Sequence, residues 1–151
     1  MLDGSCRDQL DHEGRYRHFT QLRRAATLGP SYAHSPPDGL TWDQAHELRD
    51  HLEAVAELAQ GHASAFGIPE WGHLAGLWHD LGKYRPGFQQ YIRGELIPMN
   101  LKSHKLAGAA HALKLEYQVA GQLLALCIAG HHGGLPQWQG VSSLQDRLPE
   151  A

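Results

Sequence analysis

Apolar residues recur at helical spacing through most of this 151-residue chain. Leu48, Leu52, Val55 and Ala59 fall on one side of a helix, and the same spacing returns in later segments. No stretch alternates with the period of two that is typical of strands, and β-branched residues are few. The sequence therefore predicts an all-α fold with about five or six helices and no sheet.

Capping residues indicate where these helices begin and end. Thr41 and Gln44 form a capping box, which predicts a helix from Thr41 to Phe66. Pro69 can open the next helix, and Gly82 can end it. Further helices are predicted at 16–28, from Pro86 to Ile92, at 103–115 with Ser103 as the cap, at 117–129, and from Ser142 onward with Gln145. Residues 94–100 are expected to form a loop.

Length and composition limit the class of protein. A chain of 151 residues fits one domain, and we expect a polar segment at 1–30 followed by that domain at 31–151. The net charge of −3 excludes a histone-like protein, and two cysteines exclude a disulfide framework. The longest apolar run, Leu123 to Ala129, has seven residues, and the first fifteen residues lack the apolar core of a signal peptide. We therefore expect a cytoplasmic protein with no membrane contact.

Twelve histidines are the unusual part of the composition. His79 and Asp80 are adjacent near the end of one apolar helix, and His131 and His132 are adjacent just after another. Imidazole and carboxylate together suit borderline divalent metals such as Mn, Fe, Co, Ni or Zn. The alternative is that these histidines cap helices or lie on the surface. The two pairs occurring together favour a metal site.

Three segments resemble a known family. Residues 75–84, AGLWHDLGKY, are similar to the signature of HD-domain metal phosphohydrolases. The continuation RPGFQQY at 85–91, the block IAGHHGGLP at 128–136 and YAHS at 32–35 resemble the HD nuclease domain of the CRISPR-associated type I nuclease-helicase. The resemblance covers residues 32–148 and implies an HD-type helical bundle.

The resemblance also implies a set of site residues. It assigns metal binding to His51, His79, Asp80, His104, His131 and His132. Up to two divalent ions (Mn, Fe, Co, Ni or Mg) would bind, and Asp80 would bridge them. Lys83 would lie beside the site, where an ammonium can hold a phosphate or stabilise transition-state charge. The alternative for Lys83 is a cation favoured by a helix C-terminus.

One ligand of the family has no clear counterpart in this chain. In the family a final aspartate follows in a later helix, whereas here 19 residues remain after His132 (151 − 132) and Asp146 is the sole aspartate among them. We therefore expect a C-terminally truncated domain. In that domain the second ion would keep four ligands (Asp80, His104, His131 and His132), and the first would have three (His51, His79 and Asp80).

The resemblance implies a metal-dependent endonuclease or exonuclease that hydrolyses single-stranded DNA in CRISPR antiviral defence. Its partners would be a helicase domain and a CRISPR surveillance complex. Residues 83–114 contain six basic residues and one acid, Glu95, which suits either a track for a phosphate backbone or a solvated face. Two alternatives remain open: an HD phosphohydrolase acting on nucleotides, and a catalytically impaired fragment that still binds metal.

Overall fold

The computed structural model describes residues 29–148 of the chain. The helix predicted at 16–28 lies outside these residues. The predicted polar segment at 1–30 lies almost entirely outside them as well, so the domain boundary stays a prediction.

Helices make up the described part of the chain. Seven α-helices occur within residues 29–148: α1 (Leu48–Ser64), α2 (Pro69–Trp78), α3 (Pro86–Ile92), α4 (Met99–Lys102), α5 (Ala107–Ala112), α6 (Gln118–Gly130) and α7 (Leu144–Arg147). Two 3-10 helices, Trp42–Gln44 and Leu81–Tyr84, join them. These residues contain no strand, and an isolated antiparallel bridge pairs Tyr32 with Glu47. The predicted all-α fold is confirmed.

The first long helix begins later than predicted. Thr41 does precede a helical turn, and its backbone N–H donates to Gln44 Oε1 at 3.3 Å, but that turn is the short 3-10 helix. The chain then extends, because Ala33 N–H donates to the carbonyl of His46 and Leu48 N–H donates to the carbonyl of Ser31. These bonds to a distant segment hold the backbone out of the helical conformation until Leu48. The helix predicted to run from Thr41 to Phe66 was therefore wrong at its start.

Two later boundaries also differ from the prediction. Residues 99–102 form α4, which overlaps the last two residues of the predicted loop, and Ser103 follows that helix in extended conformation instead of opening the next one. Near the end of the described chain, the cap is Ser143, whose side chain accepts from the backbone N–H of Asp146, and not Ser142. Ser142 has φ = 61°, a left-handed conformation that stops it from acting as the cap.

Close backbone packing places the ends of the helices around one site. α2 lies against α1 at Gly76, where an added Cβ would come within 2.6 Å of Ala56 Cα. α5, α6 and α7 share a hydrophobic core that includes Ala109, Ile128 and Leu144. The C-terminal ends of α2 and α6 carry His79 and His131 as their capping residues. No helix in the described part of the chain is long and apolar enough to span a bilayer.

Candidate metal centre

Asp80 lies in the turn between α2 and the 3-10 helix Leu81–Tyr84, and it is only 4% exposed. Gly82 lets this turn pack closely against the backbone of His104. A Cβ at Gly82 would lie 2.2 Å from the carbonyl oxygen of His104, so only glycine permits this approach. The segment that carries His104 is thereby packed against the turn that carries the aspartate.

One carboxylate oxygen of Asp80 faces two histidines from α1 and α2. His51 Nε2 lies 3.6 Å from Asp80 Oδ2, and His79 Nε2 lies 3.2 Å from the same oxygen. The two ring nitrogens are 3.2 Å apart. The three ligand atoms lie within 4.8 Å of one another, as the ligands of a single ion would.

The other oxygen of Asp80 faces the adjacent histidines that follow α6. His131 Nε2 lies 3.6 Å from Asp80 Oδ1, and His132 Nε2 lies 3.9 Å from it. These atoms form a second group within the same 4.8 Å limit. Asp80 is therefore shared by two groups, one on each oxygen, which is the arrangement that a bridging carboxylate requires.

Backbone carbonyls set the orientation of two of the rings. His79 Nδ1 donates to the carbonyl of Gly76 at 2.6 Å, and His131 Nδ1 donates to that of Ile128. A carbonyl only accepts, so Nδ1 carries the hydrogen of each neutral ring and Nε2 keeps its lone pair. Hydrogen bonds of this kind from the ring nitrogen away from the ion accompany metal-bound histidines. Nε2 of both rings thus faces the Asp80 carboxylate, where it can bind an ion when the ring is neutral.

Lys83 is buried and contacts other groups of the protein. Its ammonium donates to Asp80 Oδ2 at 2.8 Å and to the carbonyl of Ala33 at 3.0 Å, and the residue is 5% exposed. The lysine thus lies beside the Asp80 carboxylate. The contacts that the structure shows are with the carboxylate, the backbone and the Phe88 ring, and a role toward substrate stays a prediction.

The electrostatics keep the acid ionised and lower the pKa of two of the histidines. Burial alone would raise the pKa of Asp80, but the nearby His131, His79 and Lys83 outweigh burial and hold that pKa well below its usual range. Burial and the neighbouring His131 lower the pKa of His132 to about 4. Burial likewise lowers the pKa of His51. The nearby Asp80 carboxylate raises the pKa of His131.

His104 lies next to the second group without joining it. It follows α4, and its ring meets the ring of His132 edge to face with centroids 4.8 Å apart. On its other side it packs against Phe88, and burial lowers its pKa. Metal binding by His104 stays a prediction. Asp146 is used locally, since its carboxylate accepts from Ser142 N–H at 3.3 Å, and it lies in neither group.

Gln89, in the RPGFQQY block, is a buried residue that supports the site, and this role was not predicted. Its side-chain amide donates to the carbonyls of Tyr32 and Lys83, and its oxygen accepts from the Tyr32 N–H at 2.9 Å. It thereby joins the segment before α1 to the lysine beneath Asp80. A glutamine in a short helix is ordinarily solvent-exposed, so no local pattern could have identified this one.

The donor atoms fit a divalent metal ion. Asp80 Oδ1 and His132 Nε2 are buried and have no hydrogen-bond partner in the described part of the chain. Buried polar atoms without partners are costly, and an ion between them would satisfy both. Nitrogen and carboxylate donors also match the preferences of Mn, Fe, Co, Ni or Zn. His51, His79, Asp80, His131 and His132 can thus hold metal, whichever ion it is.

Comparison with known proteins agrees with the fold and with this centre. No curated protein matches the chain at a significant level. The profile of the HD domain matches residues 48–148, about two thirds of the sequence, and this span contains every residue of both groups. The chain therefore belongs to the HD domain family.

Proposed function

We propose that this chain hydrolyses phosphodiester bonds in single-stranded DNA, as the HD nuclease part of a type I CRISPR effector. The proposal has two levels. Metal-dependent phosphohydrolysis is supported by the HD domain and by its histidine–aspartate groups. The DNA substrate, the CRISPR setting and the helicase and surveillance-complex partners are supported by the sequence blocks HDLGK and GHHGGLP.

The observation that carries the hydrolytic proposal is the sharing of Asp80 between two histidine pairs. His51 and His79 approach Oδ2, while His131 and His132 approach Oδ1. Divalent ions bound there would activate water and neutralise charge on the phosphate oxygens. A site that served only to stabilise the fold would need one closed set of ligands. Two adjoining sets on one carboxylate suit hydrolysis better.

The protein's own residues would prepare the site before substrate arrives. Lys83 keeps the Asp80 carboxylate ionised and fixed. The carbonyls of Gly76 and Ile128 keep the Nε2 atoms of His79 and His131 directed inward. Because these groups are already ordered, little reorganisation is required when charge develops during the reaction.

One observation favours the alternative of a metal-binding but weakly active centre. Asp80 Oδ2, the oxygen of the first group, already accepts from Lys83 at 2.8 Å, whereas Oδ1 has no partner among the described residues. An ion in the first group would share its oxygen with an ammonium. The second group would then hold its ion better than the first, and two-ion chemistry would be impaired.

A cleavage assay tests the proposal. Protein stripped with a chelator is reloaded with Mn, Fe, Co, Ni, Mg or Zn and mixed with a labelled single strand, with its duplex, or with deoxynucleotides. We expect metal-dependent cutting of the single strand by the wild type and none by Asp80→Asn. Hydrolysis of nucleotides with the strand left intact would favour the nucleotide phosphohydrolase. Metal binding without any hydrolysis would favour the impaired centre.

A further inference from the structure

A cavity of about 490 Å³ adjoins the metal centre and is not explained by metal binding. His132 belongs to the second metal group and also lines this cavity. The rest of the lining includes Ser103, Lys105, Ser142 and Arg147. Its size falls within the ~300–1,000 Å³ that is usual for ligand pockets. The cavity and the metal centre thus share a wall.

The lining of the cavity is basic. Lys105 and Arg147 contribute two positive charges, and no aspartate or glutamate lines it. Arg147 is anchored by a bond from Nε to the carbonyl of Ser143 at 3.3 Å. Lys105 is exposed and forms no ion pair within residues 29–148. Two cations and two serine hydroxyls without an acid are typical of a phosphate site.

Two glycines of the GHHGG block leave one wall of the cavity open. Gly133 and Gly134 both line it, and an added Cβ at either would meet no atom within 4 Å. Packing therefore does not require a glycine at 133. The absence of side chains here lets an extended ligand approach the backbone closely.

We propose that this cavity is a subsite for the backbone phosphate that neighbours the scissile one in a single strand of DNA, with Lys105 and Arg147 holding it. The inference deepens the proposed function and rests on it. A phosphate in this cavity is separate from one at the Asp80 carboxylate, because His132 lies between the two spaces. A strand supplies two phosphates joined through a sugar, whereas a nucleoside monophosphate cannot occupy both spaces.

Binding of a fluorescein-labelled oligothymidylate, followed by anisotropy in EDTA, tests the subsite without metal or turnover. We expect Lys105→Gln and Arg147→Gln each to weaken binding roughly tenfold, the effect of losing one charge-assisted hydrogen bond. The dependence of log K on log salt should fall by about 0.7 for each lost contact. Lys105→Arg and Arg147→Lys keep the charge and should keep most of the affinity.

Lys114→Gln is the matched control, because it removes one exposed charge that does not line the cavity. Unchanged affinity in Lys105→Gln and Arg147→Gln, or an equal loss in Lys114→Gln, would overturn the subsite. So would a wild type that binds no oligonucleotide. An equal loss of affinity for thymidine triphosphate would also overturn it, because the cavity would then serve a nucleotide tail.

Lys105→Gln breaks no hydrogen bond or ion pair seen in residues 29–148. Its oligonucleotide affinity therefore tests the subsite even if Arg147→Gln unfolds through loss of its Ser143 contact. Cleavage is scored separately on metal-loaded wild type. A protein that binds the strand through Lys105 but never cuts it would count against the proposed function and leave the subsite standing.

Discussion

Lys83 donates to only one of the two oxygens of Asp80. Its ammonium lies 2.8 Å from Oδ2, while Oδ1 has no hydrogen-bond partner in the described chain. Both residues are buried, at 5% and 4% exposure. The carboxylate therefore has one oxygen that the protein itself satisfies and one that remains available to an ion.

Lys83→Met should destabilise the protein mainly when metal is absent. Removing the ammonium leaves a buried carboxylate without its counter-charge, and loss of one partner from a buried pair costs about 3–5 kcal/mol. A bound divalent ion can replace the missing positive charge, so Mn²⁺ should restore much of the free energy of unfolding. Urea titrations of wild type and variant, each with and without Mn²⁺, measure this. An equal loss under both conditions would mean that Lys83 acts through its contact with Ala33 instead.

Asp80→Asn should abolish tight metal binding, because Asp80 is the only acid in either group. The amide has nearly the same shape, so a loss of affinity reports on charge and not on packing. Isothermal titration calorimetry with Mn²⁺ measures it. His62→Ala, which removes an exposed histidine in the last turn of α1, should bind metal as the wild type does. Unchanged affinity in Asp80→Asn would exclude the bridging role.

The sequence could predict the residues of the centre more easily than their contacts. Paired motifs indicated His79 with Asp80 and His131 with His132, since adjacent residues at a helix end remain neighbours in any fold. The bond from Lys83 to Oδ2 joins residues three apart, but its burial depends on Ala33, fifty residues away. Contacts of that kind leave no local pattern.

Helix boundaries show the same limit. Thr41 and Gln44 are good capping residues and do cap a helical turn. They could not show that the helix ends after this single turn. The interruption comes from hydrogen bonds between 46–48 and 31–33, segments about a dozen residues apart. Local propensity is a weak guide wherever such pairing competes with it.

Gly82→Ala should destabilise the fold and weaken metal binding together. The added Cβ would meet the backbone of His104 at 2.2 Å, and backbone cannot move aside as a flexible side chain can. Overpacking of this kind costs typically 1–3 kcal/mol. The matched control is Gly61→Ala within α1, where a Cβ meets nothing within 4 Å. That change should stabilise the helix by up to about 1 kcal/mol. Thermal melts of both variants measure the contrast, and equal effects would contradict it.

Metal affinity should fall as the pH falls below neutrality. The raised pKa of His131 means that this ring keeps its proton to a higher pH than an ordinary histidine does, and an ion must displace that proton wherever it is bound. Below that pKa the affinity should drop about tenfold per pH unit for the single proton released. His132, with its pKa of about 4, adds a second proton only in stronger acid. Calorimetric titration with Mn²⁺ in two buffers of different ionisation enthalpy counts the protons that are released when the metal binds. A constant affinity from about pH 8 to pH 5 would contradict this assignment for His131.

The number of ions bound should be nearer one than two per chain. In the group of His51, His79 and Asp80, the shared oxygen already accepts from Lys83, so an entering ion meets a neighbouring positive charge. In the group of Asp80, His131 and His132, two ligand atoms have no partner among the described residues. The ion there satisfies both atoms and meets no ammonium on its own oxygen.

Mass spectrometry under native conditions, with Mn²⁺ or Ni²⁺ at micromolar excess, counts the ions bound per chain. His132→Ala should then remove the tightly bound ion, whereas His51→Ala should retain it. Two ions of equal affinity, or loss of the tight ion in His51→Ala alone, would show that Lys83 does not decide which group is filled first.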